Sequence, residues 1–148
     1  MAGKNHVERS IRVLLDDSGG TARDLSGDLV PGSMSGPGLS YEEAQMTGVS
    51  ETVRNFLAGH ATTEFVGQFR MNDTATTGST TVINGKLGST GTITVQFGQA
   101  GAAPTTGDPE WEGEFVFLAA PVGIADNGAV LNFRAVPTGS TAPAWGTV

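Results

Sequence analysis

His6 and His60, the carboxylates Asp16, Asp17, Asp126, Glu112 and Glu114, and the glycine-rich run 85–91 are the places where residue type and spacing could carry chemistry. Neither histidine has an acid or nucleophile close to it in sequence, as general acid–base or covalent catalysis needs. His60 follows the end of a predicted helix, where a histidine suits the negative end of the dipole. Asp16-Asp17 and Asp126-Asn127-Gly128 offer oxygen ligands of the kind calcium takes, yet both lack the ligand spacing and distant glutamate of a calcium loop. Turn chemistry accounts for them. The run Gly85-Lys86-Leu87-Gly88-Ser89-Thr90-Gly91 lacks the Gly-Lys-Ser or Gly-Lys-Thr order of a phosphate loop, and no helical pattern follows it. It reads as a strand connection. Glu112 and Glu114 share a strand face and could pair as acid and base, but alternating glutamates are the ordinary mark of a wet face. The reading is therefore non-enzymatic, with no metal and no cofactor expected.

Composition narrows the scaffold that must hold these residues. A chain of 148 residues is long enough for one core and too short for two, so a single domain spanning 1–148 is expected. With 22 glycines and a charged fraction of 16%, the composition favours strands and turns over surface helices. The absence of cysteine excludes disulfides, thiolate nucleophiles and cysteine-ligated metal sites. Fifteen acidic against eight basic residues give a formal charge of −7 without a basic cluster, which argues against a surface that grips nucleic acid. The longest apolar stretch, 115–122, falls well short of the roughly 20 residues that span a bilayer, and 1–15 holds no uninterrupted apolar core of a signal peptide. No membrane partner is expected, and synthesis and assembly in a cytoplasm are.

Hydrophobic periodicity supplies the elements. Residues 1–6 are polar and expected to be loose. Ile11, Val13 and Leu15 alternate with Arg12 and Leu14 as in a half-buried strand, and the turn residues 16–20 end it. A short strand over 23–30 rests on Leu25 and Leu29; 31–38 is a loop. Val49, Val53, Phe56 and Leu57 fall at i, i+4, i+7 and i+8, which predicts a helix over 50–58, with Thr47 or Ser50 as cap and Gly59 as stop. From 62 the period becomes two: Phe65, Gly67, Phe69 and Met71 face one way, and Glu64, Val66, Gln68 and Arg70 the other. Strands are expected over 80–83, 92–97, 111–117 and 130–136, with hairpin turns at Asn84-Gly85 and Asn127-Gly128. The segments 16–41 and 98–110 fit no element, and 138–148 shows no pattern. The fold class predicted is mainly β, an antiparallel β-sandwich or barrel with one short flanking α-helix.

The wet faces of these strands form the candidate functional surface: Glu64, Gln68 and Arg70 on one, Thr92, Thr94 and Gln96 on another, Glu112 and Glu114 on a third. They are either a solvated sheet face or the wall of a channel.

The order of elements, and above all the stretch Gln45-Met46-Thr47-Gly48-Val49-Ser50-Glu51-Thr52-Val53-Arg54-Asn55-Phe56-Leu57-Ala58-Gly59-His60 followed by a strand over 63–71, resembles the major tail tube proteins of long-tailed (siphovirus-like) bacteriophages. The resemblance covers 7–136 in outline and is specific around 39–72. It implies a homo-oligomer of hexameric rings stacked into the tail tube of a virion, beside other phage tail proteins, with DNA passing through a negatively charged conduit without specific binding. It implies that the long loop 16–41, with Asp16, Asp17, Arg23, Asp24, Asp28, Met34 and Tyr41, and the termini join successive rings, and that the helix packs outside the sheet. The chain is short for that family. A capsid decoration protein or a tail-terminator or neck ring subunit is the alternative. A carbohydrate-binding sandwich using Tyr41, Trp111 and Trp145 as platforms is a more remote one.

Overall fold

The computed structural model describes residues 6–148. It is mainly β, with one short helix and a curled antiparallel sheet of the sandwich or barrel kind. The strands are β1 (Ile11–Asp16), β2 (Ala22–Asp24), β3 (Tyr41–Gln45), β4 (Phe56–Ala61), β5 (Phe65–Arg70), β6 (Thr90–Phe97), β7 (Pro109–Ala119), β8 (Val122–Ala125), β9 (Gly128–Pro137) and β10 (Ala144–Thr147). The helix α1 spans Ser79–Lys86, and a 3-10 turn at Glu8–Ser10 leads into β1.

Eight strands form the main sheet in the order β2-β1-β6-β7-β9-β5, with β8 beside β9 and β10 beside β7. All pairings are antiparallel. A register shift between Phe117 and Ala119 bends β7, and the chain then continues as β8 along β9. Ala125 and Gly128 close that hairpin. Positive φ at Asp126 (49°) and Asn127 (62°) makes its turn the mirror-image form that matches strand twist. The hairpin thus falls at the Asn127-Gly128 signal, its turn centred one residue earlier.

Alternation explains the core. Val13 and Leu15, Phe65 and Phe69, Ile93 and Val95, Trp111, Phe115 and Phe117, and Leu131, Phe133 and Ala135 are buried together. Phe133 lies at the centre of an aromatic group, its ring 5.0 Å from Phe117, 5.9 Å from Phe65 and 6.0 Å from Phe69. Two core-facing positions lack a side chain, and neighbouring segments fill them. A Cβ on Gly67 would sit 3.3 Å from the Leu29 side chain, and one on Gly113 would sit 2.7 Å from Pro143.

The segment that follows β2 closes the sheet. Leu25 N–H donates to Val13 on the β1 side at 2.9 Å, and further on Val30 N–H donates to Gln68 and Ser35 N–H to Val66, both at 2.8 Å. These bonds occupy the outer edge of β5, which would otherwise expose unpaired backbone groups. Leu25 and Val30 are buried beneath the crossing. The strand expected over 23–30 is therefore confined to Ala22–Asp24, and the rest of that stretch bridges two sheet edges.

Three other expectations are corrected. Residues 50–58 are not helical: 46–55 form a loop and Phe56–Ala61 is β4, paired with β3. A helix there would have to bury Val49, Val53, Phe56 and Leu57 against the sheet. Those side chains are 108%, 68%, 49% and 61% exposed, and Gly48 with β-branched Thr47, Val49, Thr52 and Val53 lowers helix propensity. His60 consequently lies on β4, where its ring is 3.5 Å from Glu42. The helix stands instead at Ser79–Lys86, where a strand over 80–83 and a turn at Asn84-Gly85 were expected. It buries Val82 and Ile83, and the Asp28 carboxylate accepts the Ser79 N–H at 3.3 Å, an N-terminal cap supplied from a distant loop. The tail also contains a strand, β10, whose Trp145 pairs with Trp111 and stacks at 5.6 Å on Phe97.

The loose N-terminus expected over 1–6 lies outside the described residues except for His6, whose Nδ1 is 2.9 Å from the Gly98 carbonyl oxygen. The stretch 98–108 is tied down by Asp108. Its carboxylate accepts Thr105 N–H at 2.8 Å and Gln99 Nε2 at 3.0 Å.

Candidate functional site

Two surfaces stand out once the fold is assembled. The first is the outer face of β6 and β7, where antiparallel register sets Thr92 opposite Glu114, Thr94 opposite Glu112 and Gln96 opposite Glu110. Each pair is bonded. Thr92 Oγ1 donates to Glu114 at 2.9 Å, Thr94 Oγ1 to Glu112 at 2.9 Å, and Gln96 Nε2 to Glu110 at 2.8 Å. The result is a file of three carboxylates, each oriented by a neutral donor, with Arg12 of β1 across from Gln96 at its edge. Glu110 was missed in the sequence reading, although it continues the alternation of Glu112 and Glu114.

Glu64, Gln68 and Arg70 do not join that file. They belong to the far side of the sheet, where Glu64 pairs with Arg134 at 3.0 Å, Gln68 Nε2 donates to Asn132 at 3.0 Å, and Arg70 reaches Asp126 at 3.6 Å and the Ala125 carbonyl. Their partners on β9, Asn132 and Arg134, were not singled out in the sequence, though the alternation over 130–136 puts both outward. The eight candidate residues thus separate into a carboxylate face on β6–β7 and a charge-balanced face on β5–β9. Glu112 and Glu114 each accept a threonine hydroxyl.

The candidate loop residues act mainly within the chain. Asp17 Oδ1 accepts the N–H groups of Gly19 and Thr21, each at 2.9 Å, and its Oδ2 meets Arg23 at 2.8 Å. These bonds hold its carboxyl below the ordinary value, the Thr21 N–H foremost, then Arg23. Asp108 is likewise lowered, chiefly by the Thr105 N–H and then by Gln99. Asp16 accepts the Thr92 N–H at 3.0 Å, Asp24 the Ser26 N–H at 2.9 Å, and Asp28 caps α1 and holds Asn72 at 3.1 Å. Met34 packs on the core, whereas Tyr41 is half exposed on β3.

The second surface is the β3–β4 hairpin. It forms a separate two-stranded sheet, and Tyr41, Met46, Val49, Val53, Phe56 and Leu57 are all exposed on it. Its tip nevertheless has internal order. Thr47 Oγ1 accepts Asn55 N–H at 2.9 Å, Met46 N–H donates to Asn55 O at 2.8 Å, and Asn55 Nδ2 donates to Glu51 at 2.6 Å. The base is anchored at Gly38, whose carbonyl accepts Thr63 Oγ1 at 2.9 Å and Trp111 Nε1 at 3.2 Å. An isolated two-stranded hairpin is marginal in water, and a cluster of exposed apolar side chains marks an interaction surface.

Between the turn at 8–12 and the crossing segment 24–34 lies a groove of about 780 Å³. Ile11, Leu29, Pro31 and Met34 give it apolar walls, with Glu8, Arg9, Arg12 and Asp24 around them. Among the described residues no cluster of three or more His, Asp or Glu side chains is placed to hold a metal ion, and no helix is long and apolar enough to cross a membrane.

The class that these features define is a curled, mainly β domain with a projecting apolar hairpin. Comparison with protein-family models gives no match to this chain, and comparison with curated proteins gives none either.

Proposed function

We propose that this protein is a structural subunit of a virion, forming hexameric rings that stack into a bacteriophage tail tube through which DNA leaves. The observation that carries the reading is the projecting hairpin. Six large apolar side chains held in water by the β3–β4 arm are a liability for a lone chain and a joining device for a subunit. The tail-tube resemblance around 39–72 drew on a helix that is not there. What supports the reading now is the curled β body, the arm at the same stretch of chain, and the charge.

That charge suits a conduit. Seven net negative charges per subunit, with Glu110, Glu112 and Glu114 fixed on one sheet face, repel a polyanion, so DNA slides past without being gripped by Lys or Arg. Such a role needs shape and repulsion, with no bond made or broken.

Sedimentation velocity of the purified chain across a concentration series tests the assembly. Growth into very large particles supports a tube subunit. A protein that stays monomeric or stops at trimers at every concentration overturns it in favour of a shell-decorating protein.

A further inference from the structure

We propose that the groove between 8–12 and 24–34 receives the β3–β4 hairpin tip of a second copy of this chain. The inference rests on the assembly reading above and names the acceptor for its arm. The groove is within the range of roughly 300–1,000 Å³ typical of binding clefts. Ile11, Leu29 and Met34 in it match the exposed Val49 and Val53 of the tip in chemistry.

Charge selects this groove over other apolar surfaces. Arg9 and Arg12 line it, and among the described residues neither forms an ion pair. Among the described residues the Arg12 guanidinium donates only to the carbonyls of Arg9 and Ile11, at 3.0 and 2.9 Å. The tip carries the converse set. Glu51 meets only the neutral Asn55 amide, and Arg54 has no acidic partner among the described residues. Docking places Glu51 by Arg9 and Arg12, and Arg54 by Glu8 or Asp24. The exposed side chains Leu118, Val122 and Ile124 on β7–β8 lie along β9, where the arginines are already paired: Arg134, opposite Ala119, with Glu64 and Arg70 with Asp126.

Geometry makes the contact propagate. No hydrogen bond or ion pair among the described residues joins the tip to the groove of its own chain. Donor and acceptor are different surfaces, so every copy offers one of each. Such a head-to-tail contact closes into a ring or runs on as a filament. The tip is already ordered by its own hydrogen bonds, which keeps the ordering cost of docking small.

The chain has no cysteine, so introduced thiols report without background. Val49→Cys chains are mixed with Gly27→Cys chains, where a Cβ meets nothing within 4 Å, and oxidised while assembly is followed by sedimentation. The expected result is a mixed disulfide dimer on a non-reducing gel, in excess of either homodimer. Arg12→Glu on the Gly27→Cys chain abolishes it, and Glu51→Arg on the Val49→Cys chain restores it. Large particles without the mixed dimer, or with Val49→Cys bridged to an Ile124→Cys chain instead, overturn the groove while leaving assembly standing. Absence of both particles and bridge overturns the two together.

Discussion

Replacing Val49 and Val53 together by serine removes apolar surface that the single chain leaves in water, since Val49 is fully exposed and Val53 is 68% exposed. Within the chain there is little to lose, so the melting transition moves by no more than about 0.5 kcal/mol equivalent, as for other surface substitutions. In an assembly whose tips dock, each tip buries both valines. Fully burying a valine contributes about 1.5 kcal/mol, so the pair contributes roughly 2–3 kcal/mol per contact. At 1.4 kcal/mol per decade, association weakens roughly 30- to 150-fold. Every added subunit makes at least one such contact, so the critical concentration for assembly, measured by pelleting, rises by that factor. A rise below about threefold with an unchanged melting curve, on the scale of 1.4 kcal/mol per decade, refutes the role of the tip. A large fall in melting temperature refutes the claim that these side chains are spare in the single chain.

Four further outcomes follow from the fold. Phe133→Ala, at the centre of the aromatic group, lowers the urea-unfolding free energy by about 3–5 kcal/mol; a loss below about 1.5 kcal/mol contradicts the packing described. Gly36→Ala lowers stability by about 2 kcal/mol or more, because Gly36 has φ +117° and an added Cβ would stand 1.7 Å from the Glu64 carbonyl oxygen, whereas Gly27→Ala stays within about 0.5 kcal/mol of the parent. Asp28→Ala removes the cap of α1 and costs about 1 kcal/mol, read most directly as faster amide exchange over 79–86. Asp17→Asn lowers the melting temperature at neutral pH. The folded carboxyl lies below 3.8, so its contribution is complete above that value and is lost as pH falls through the lower folded one; the gap between variant and parent must close in acid and not in base.

β1, β5, β6, β7 and β9 were legible because each has a buried side. Val13 and Leu15, Ile93 and Val95, and Phe115 and Phe117 pack on one core, and alternation records that contact directly. The 49–57 apolar set records something else. Its spacing fits a helix face, but among the described residues all four side chains stay exposed, Phe56 and Leu57 in part, so periodicity there records no buried face. The true helix was illegible for the opposite reason: Ser-Thr-Thr-Val-Ile-Asn-Gly-Lys is a poor helix former, and its cap is Asp28, 51 residues before Ser79. β10 escaped notice because only Trp145 marks it and its register depends on Pro143 lying over Gly113.

The candidate site was half visible. Alternation identified the polar positions of β5, β6 and β7 but could not say which strands are neighbours. Only the order β6-β7-β9-β5 separates the carboxylate file from the balanced face formed with Asn132 and Arg134. In 16–41, turn residues that resemble a mobile loop are engaged in closing the sheet, a use that depends on contacts with Val13, Val66 and Gln68. The groove is invisible in sequence, since its walls come from segments on either side of two strands.

The central claim is that this chain builds a hollow tube, and negative-stain electron microscopy of the purified protein across a concentration series tests it most directly. A tube subunit forms annuli and stacked tubes with a lumen of roughly 20 Å plus clearance, the width that duplex DNA requires. Compact particles without a lumen at every concentration, or shells and trimers that never extend along an axis, would contradict it.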